Sequence, residues 1–385
     1  MLRLIMVLCA LPLAALAQVE QGAPNANFAP AFENQTRAPA LAETRLAVSV
    51  FADGLERPWG IAPLSSSQFL VTERGGTMRV VSADGSVSGP LSGVPQVSAT
   101  GQGGLLDVAV SPRFAQDRLV FWTYSKPVRG GSVTAAARGV LSAEGRLGDV
   151  RDIFVQTDPN SGGRHFGSRI IPMSDSTVWI TTGDRGEGDS GDMPQQLDST
   201  VGKVIRVNAD GSVPSDNPFV GRAGDDQIWS LGHRNMQGAA IDGRGRLWTI
   251  EHGPRGGDEL NRPLAGRNYG WPIVSYGINY SGRALGSGAA VLEGTEQPVY
   301  YWDPVIAPAG MSFYDGPYAA WQGDLLIGSL NPGGLVRLKI SGDRVVGEER
   351  LLPDVGRVRD VEVLADGRVL VLVDGGEILA VRPEG

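Results

Sequence analysis

Apolar residues in this chain return in short, separate runs: Phe69-Leu-Val-Thr-Glu, Leu119-Val-Phe-Trp-Thr-Tyr, Val178-Trp-Ile-Thr-Thr-Gly, Leu247-Trp-Thr-Ile-Glu, Leu325-Leu-Ile-Gly-Ser and Val369-Leu-Val-Leu-Val. They are rich in β-branched and aromatic residues and too short for helices, so they predict strands. Several follow an Asp-Gly or Gly-x-Gly turn and lead into a second strand. The clearest is Ala365-Asp-Gly-Arg-Val-Leu-Val-Leu-Val-Asp-Gly-Gly-Glu-Ile-Leu-Ala-Val, which reads as a hairpin. The six runs recur roughly every 45 to 80 residues, a spacing that suits a four-stranded unit with variable loops. Radial closure of such units limits exposed sheet edges. The pattern therefore predicts an all-β fold, a six-bladed β-propeller of four-stranded antiparallel sheets. A β-sandwich is the alternative, but a single sandwich of this length would not repeat the motif so many times.

Composition sharpens this picture at the termini. Fifty-four glycines and 25 prolines leave little room for helices. Residues 1–17 combine an early Arg3, an apolar run interrupted by Pro12 and an Ala-Leu-Ala ending, the pattern of a cleavable signal peptide. The run is too short for a membrane span, so a periplasmic or secreted protein without an anchor is expected. Cys9 falls inside the leader, and the mature chain should then contain no thiol. Residues 18–42 lack periodicity and are expected to form a loose N-terminal arm ahead of one catalytic domain at 43–385. A net charge of −8 argues against nucleic acid and acidic membrane surfaces as partners.

Polar chemistry is concentrated between Ile228 and Trp271, where Gly-His-Arg-Asn, Glu-His-Gly-Pro-Arg-Gly-Gly-Asp-Glu and Arg-Asn-Tyr-Gly-Trp-Pro sit beside short apolar runs. Donors, carboxylates and flexible backbone at strand ends could hold a polar cofactor and a metal. The three histidines, His165, His233 and His252, all lie beside turns, where an imidazole can act as a general base or simply close the turn. No zinc spacing, nucleophile elbow, dinucleotide fingerprint or haem attachment motif is present.

At this point an ordered set of motifs resembles a known family. It runs through Gly101-Gln-Gly-Gly-Leu-Leu-Asp-Val, Arg164-His-Phe-Gly-Ser-Arg, Thr182-Gly-Asp, Gly202-Lys-Val-Ile-Arg-Val-Asn, Asp216-Asn-Pro-Phe, Gly253-Pro-Arg-Gly-Gly-Asp-Glu, Asn268-Tyr-Gly-Trp-Pro, Gly277-Ile-Asn-Tyr-Ser-Gly and Arg357-Val-Arg-Asp-Val. Together these are similar to the soluble, pyrroloquinoline-quinone-dependent aldose dehydrogenases of the glucose/sorbosone dehydrogenase group. The resemblance implies oxidation of an aldose C1 hydroxyl to a lactone, with electrons leaving to a separate acceptor, a protein or a soluble mediator.

By that resemblance, His165 is the general base and Arg234, with Asn235, stands beside the quinone oxygens. Gly253 and Pro254 offer carbonyls to a calcium ion at the quinone. Asp258, Glu259 and Tyr269 belong to a second, structural calcium, bound mainly by the Glu259 carboxylate and the Tyr269 carbonyl. Oxygen-only ligation suits that cation. Arg357 and Arg359 match a clamp for the cofactor's carboxylates and would share a face if their segment is a strand. Gln102 and Tyr280 match further polar contacts, and Trp302 is a candidate wall for the sugar, a position that core packing would explain equally well.

Two positions depart from the family pattern. Asn331 stands where a lysine usually faces the cofactor, which implies weaker retention unless a neighbouring arginine compensates. Arg185 replaces the glutamine that some glucose-oxidising relatives carry at the substrate rim. The rival readings are a calcium-dependent propeller lactonase, which has no need of the Arg357 and Arg359 clamp, and a catalytically silent sugar-binding propeller. Monomer and homodimer are both compatible with the sequence, and the preferred aldose has no local signal.

Overall fold

A computed structural model describes residues 17–186 and 191–384. The expected leader, with Cys9, lies outside the described residues except for Ala17. Six antiparallel sheets follow one another along the chain. The innermost strands are Pro58–Ser65, Leu105–Val110, Gly167–Pro172, Met236–Ile241, Pro308–Phe313 and Val358–Val363. Each touches the next and the last touches the first, closing a six-bladed propeller. Among the described residues the only α-helix is the four-residue Phe114–Asp117.

Each of the six apolar runs becomes the second strand of a blade, from Gln68–Glu73 in the first to Val369–Val373 in the sixth. These strands are covered on both faces by the neighbouring blades. Leu247–Glu251, Leu325–Ser329 and Val369–Val373 are buried at every position, so they read as unbroken apolar runs instead of alternating ones. The core accordingly consists of clusters between blades, such as Trp248, Trp302, Leu325 and Val336 between the fourth and fifth.

Two details differ from the expected plan. The first sheet has three strands, while the other five have four. After Thr77–Ser82 the chain enters a segment with Pro90 and Pro95, and proline cannot donate to a sheet ladder, so no fourth strand forms. The sixth blade borrows its outer strand from the other end of the chain: Leu46–Ala52 pairs with Ile378–Pro383, with Leu46 opposite Pro383. This closure ties the ring shut.

The segment 18–42 has little regular structure, yet it is not loose. Val19 and Ala38 are paired through their backbones, Ala38 and Gln35 are fully buried, and Leu41 donates to the Glu348 carbonyl on the fifth blade. Asn25 and Ala26 donate to the Asp303 carboxylate at the edge of the fourth. Side-chain and backbone bonds to blade edges, which period-based reading does not register, hold it down.

The central channel is plugged below the mouth described next. Arg169 is buried across the ring, 2.8 Å from Asp107 and 2.9 Å from Asp360. It also donates to the carbonyls of Gln237 and Arg359. One cation thus joins inner strands of four blades, and its desolvation is offset by two carboxylates and backbone oxygens.

Candidate active site

Inner strands all start from one mouth of the propeller, and the antiparallel second strands end there. The residues just before an inner strand are Arg57, Gln102, His165, Arg234 with Asn235, and Arg357, while those just after a second strand include Arg74, Asp184, Gly253, Asn331 and Asp374. Residues hundreds of positions apart therefore meet at this end of the channel.

His165 is held from three directions. Its backbone sits in the left-handed region, φ 52°, a conformation that costs a non-glycine residue about 1 kcal/mol or more. Its N–H donates to the Gln102 side chain at 2.8 Å. Its Nδ1 lies 2.6 Å from Asp184 Oδ1, and the second Asp184 oxygen accepts the Trp271 indole N–H at 2.8 Å. Burial would raise the Asp184 carboxyl, but the His165 hydrogen bond and the charges of His165 and Arg234 prevail and keep it below the ordinary range. Gly183 makes the close approach possible, because a Cβ there would lie 2.0 Å from the His165 carbonyl oxygen.

Arg234 is buried with its guanidinium 5.1 Å from the Trp271 ring. Its Nη1 donates to the carbonyls of His252 at 3.0 Å and Gly253 at 2.8 Å. Asn235 accepts from Gly167 N at 3.1 Å. Opposite them, Arg359 and Arg357 both pair with Asp374, at 3.0 and 2.9 Å. Arg357 also donates to the carbonyl of Leu330 at 2.9 Å, which brings a guanidinium to the backbone beside Asn331. Arg74 reaches the Gly101 carbonyl, and burial together with the charges of Arg57, Arg359 and Arg357 pushes its guanidinium down to about 10. Asp374 is the one carboxylate drawn into this group.

The donor set of this mouth suits a polyanion. Among the described residues, the buried donors Arg74 Nε, Arg234 Nε and Asn235 Nδ2 have no partner, and a buried donor left unpaired is costly. For a hard cation the fit is uneven. The Gly253 carbonyl is taken by Arg234, and among the described residues no cluster of three or more His, Cys, Asp or Glu side chains could hold a metal. Beside Arg234, however, Glu251, Glu259 and Tyr269 line a small cavity. Burial, and then the nearby Glu251, push the Glu259 carboxyl well above its ordinary value.

Several expected site residues stand elsewhere. Trp302 is fully buried between blades, T-shaped against Tyr300 at 4.8 Å and donating to Glu348, so it cannot form a sugar wall. Arg185 is also buried. Its guanidinium covers the Phe166 ring at 3.7 Å and donates to the carbonyls of Arg164, Ser132 and Gly162, so it braces the loop behind His165 and does not line a rim. Asp258 spends its carboxylate on the backbone N–H groups of Gly253, Ile306 and Ala307, shaping the turn instead of facing a cation. Tyr280 is 62 % exposed on its loop. His233 bridges Ser230 and Glu251, and His252 donates to the Pro308 carbonyl; both are structural. Reading the sequence missed Asp184, Trp271, Arg74 and Asp374. All four lie inside or beside quoted motifs or runs, and only their convergence reveals their use.

A family model described as Glucose / Sorbosone dehydrogenase matches residues 55–380. The chain is 42 % identical to aldose sugar dehydrogenase YliI of Escherichia coli (strain K12), covering 87 % of this chain and 92 % of that protein. The crystal structure of the soluble aldose sugar dehydrogenase from Escherichia coli in its apo-form superposes with a TM-score of 0.84 at 40 % identity, covering 88 % of this chain and all of that one. The PQQ-bound form of aldose sugar dehydrogenase from Streptomyces coelicolor superposes with a TM-score of 0.73 at 29 % identity, covering 89 % of this chain and 99 % of that one. With its propeller, its histidine–aspartate pair and its arginine-lined mouth, the chain belongs to the glucose/sorbosone dehydrogenase family.

Proposed function

We propose that this protein is a pyrroloquinoline-quinone- and calcium-dependent aldose dehydrogenase that oxidises the C1 hydroxyl of a sugar to its lactone. The observation that carries this reading is the His165–Asp184 pair facing an arginine-lined mouth in which Arg74 Nε, Arg234 Nε and Asn235 Nδ2 lack a partner among the described residues. Arg74, Arg357 and Arg359 would hold the carboxylates of the quinone, and Arg234 with Asn235 would contact its carbonyl oxygens. The carbonyls of Gly253 and Pro254 would hold calcium, and Glu259 with Tyr269 a second ion. When bound, the quinone supplies the two-electron acceptor for hydride from C1, and the cation polarises it.

The chain's own residues supply the rest. With Nδ1 committed to Asp184, His165 Nε2 is the nitrogen that can accept the anomeric proton. Asp184 fixes that tautomer and stabilises the imidazolium that results, while Trp271 fixes Asp184. Arg234 places a fixed positive charge where negative charge develops. Export through the N-terminal leader would place the enzyme in the periplasm or outside the cell, with electrons passing to a separate protein or soluble acceptor.

The test is dye reduction by the purified mature chain with a panel of aldoses, with and without quinone and calcium. Turnover that needs quinone and disappears in His165→Ala supports the reading. Lactone hydrolysis with calcium alone, or no quinone binding at all, overturns it.

A further inference from the structure

The carbonyl turn at 253–257 is gripped from outside the propeller by the N-terminal arm. The Asp303 carboxylate accepts from Asn25 N at 2.9 Å, Asn25 Nδ2 at 2.7 Å and Ala26 N at 2.9 Å. The Asn25 side-chain oxygen in turn accepts from Arg255 Nε, inside the turn, at 3.0 Å. Gly256 is packed on Asp303 so closely that a Cβ there would lie 2.5 Å from its carboxylate. Arg37, from the far end of the arm, donates to the Asp303 carbonyl at 2.8 Å.

A second grip approaches the same turn independently. Gln35 is fully buried and accepts from the Tyr276 hydroxyl at 3.1 Å, and Phe28 stands edge-on to the Tyr276 ring. Tyr276 leads directly to Ile278, which exchanges both backbone hydrogen bonds with Arg255. The arm itself is anchored at its base to the fifth blade through Leu41 and Gln21, both bonded to Glu348. Tertiary anchoring of this density is not needed to close the ring, which Leu46–Ala52 already does.

We propose that residues 18–42 are a latch that positions the turn at 253–257, with Asn25 and Asp303 as its positioning residues. This rests on the reading that the Gly253 and Pro254 carbonyls receive a cation beside the cofactor. The turn Gly253-Pro254-Arg255-Gly256-Gly257 is tied from within the propeller by Asp258, Trp302 and Ile278, but its three glycines leave its outer side to be fixed by the arm, and a cation site requires its oxygens held at fixed separation. Neither Asn25 nor Asp303 touches the cofactor mouth, so they act through Arg255 and Gly256.

The test compares the wild-type chain with Asn25→Ala and Asp303→Asn. Hydrogen exchange at the amides of Gly253, Arg255 and Gly257 is first read on the chain without quinone or metal. Quinone binding is then followed by fluorescence as calcium is titrated. The latch predicts exchange at these amides faster by about tenfold in both variants, with the first and second blades unchanged. It also predicts a calcium half-saturation raised about fivefold or more, the scale of one lost charge-assisted hydrogen bond, at an unaltered melting temperature. Unchanged exchange overturns the latch, and faster exchange with unchanged calcium half-saturation overturns its link to the cation. If wild-type quinone binding ignores calcium, the cofactor reading fails, while the exchange comparison still decides whether the arm holds the turn.

Discussion

Asp184 and His165 form a hydrogen-bonded pair across 2.6 Å, and the aspartate is itself locked by the Trp271 indole on its other oxygen. The arrangement resembles the orienting half of a catalytic triad in its logic, since the carboxylate selects the tautomer and the remaining nitrogen does the proton transfer. Asp184→Asn keeps the volume and removes the charge. Turnover should fall about 100-fold or more, while quinone affinity measured by fluorescence should change less than about threefold, because the hydrogen bonds of the Asp184 carboxylate go to His165, Trp271 and Gly186 and not to the arginines. Trp271→Phe should cost about tenfold in turnover, the worth of one hydrogen bond to a charged group.

Arg359 and Arg357 share Asp374 but differ in exposure: the Arg359 side chain is 6 % exposed and that of Arg357 is 53 % exposed. Exposed charges are screened, so Arg359→Met should weaken quinone binding by about tenfold or more and Arg357→Met by only a few-fold. Arg357 reaches the Leu330 carbonyl and so stands beside Asn331, where its guanidinium would compensate for the family's lysine. Asn331→Lys should therefore gain less than about threefold in affinity in the wild-type chain and more in the Arg357→Met background. Titration of the four variants in parallel with the wild type checks both statements.

Trp302 belongs to the core between the fourth and fifth blades. Trp302→Ala should reduce stability by about 3–5 kcal/mol in denaturant unfolding, and Trp302→Phe by less. In Trp302→Phe the KM for aldoses should stay at the wild-type value, whereas a sugar wall would show a raised KM.

Lys203 is fully buried, donating to the carbonyls of Met193 and Val201 with no carboxylate in contact among the described residues, and burial brings its ammonium down to about 7. Between about pH 7 and the ordinary lysine range near 10.4, the unfolded chain binds the proton that the folded chain has released. Stability from this group therefore rises with pH across that window, by at most about 1.4 kcal/mol per pH unit, and is flat below it. Unfolding free energies measured from pH 6 to 10 should show a shallower rise for Lys203→Met than for wild type.

How far the sequence carried the reading depends on the length scale of each signal. The six second strands were legible because burial on both faces writes an apolar run into five or so neighbouring residues, as in Val369–Val373. The three-stranded first sheet was not, because the missing strand is an effect of Pro90 and Pro95 on a segment that carries no run. His165, Arg234, Arg357 and Arg359 were legible through motifs. Trp302 and Arg185 were misplaced, because an aromatic or a guanidinium near a motif reads the same whether it faces the mouth or packs behind it.

By itself, the sequence determined the repeat, the strand-rich architecture and the family, since these rest on local periodicity and on ordered motifs within single segments. Only the tertiary structure decided which polar residues share a site. Asp184 meets His165 and Trp271, and Arg74 comes under the charge of Arg359, because ring closure brings the starts of six inner strands to one mouth, while Asn25 reaches Asp303 across 278 positions because the arm folds back over a blade edge. A chain records what each residue is, but partnerships between distant residues exist only once the backbone's directions in space are set.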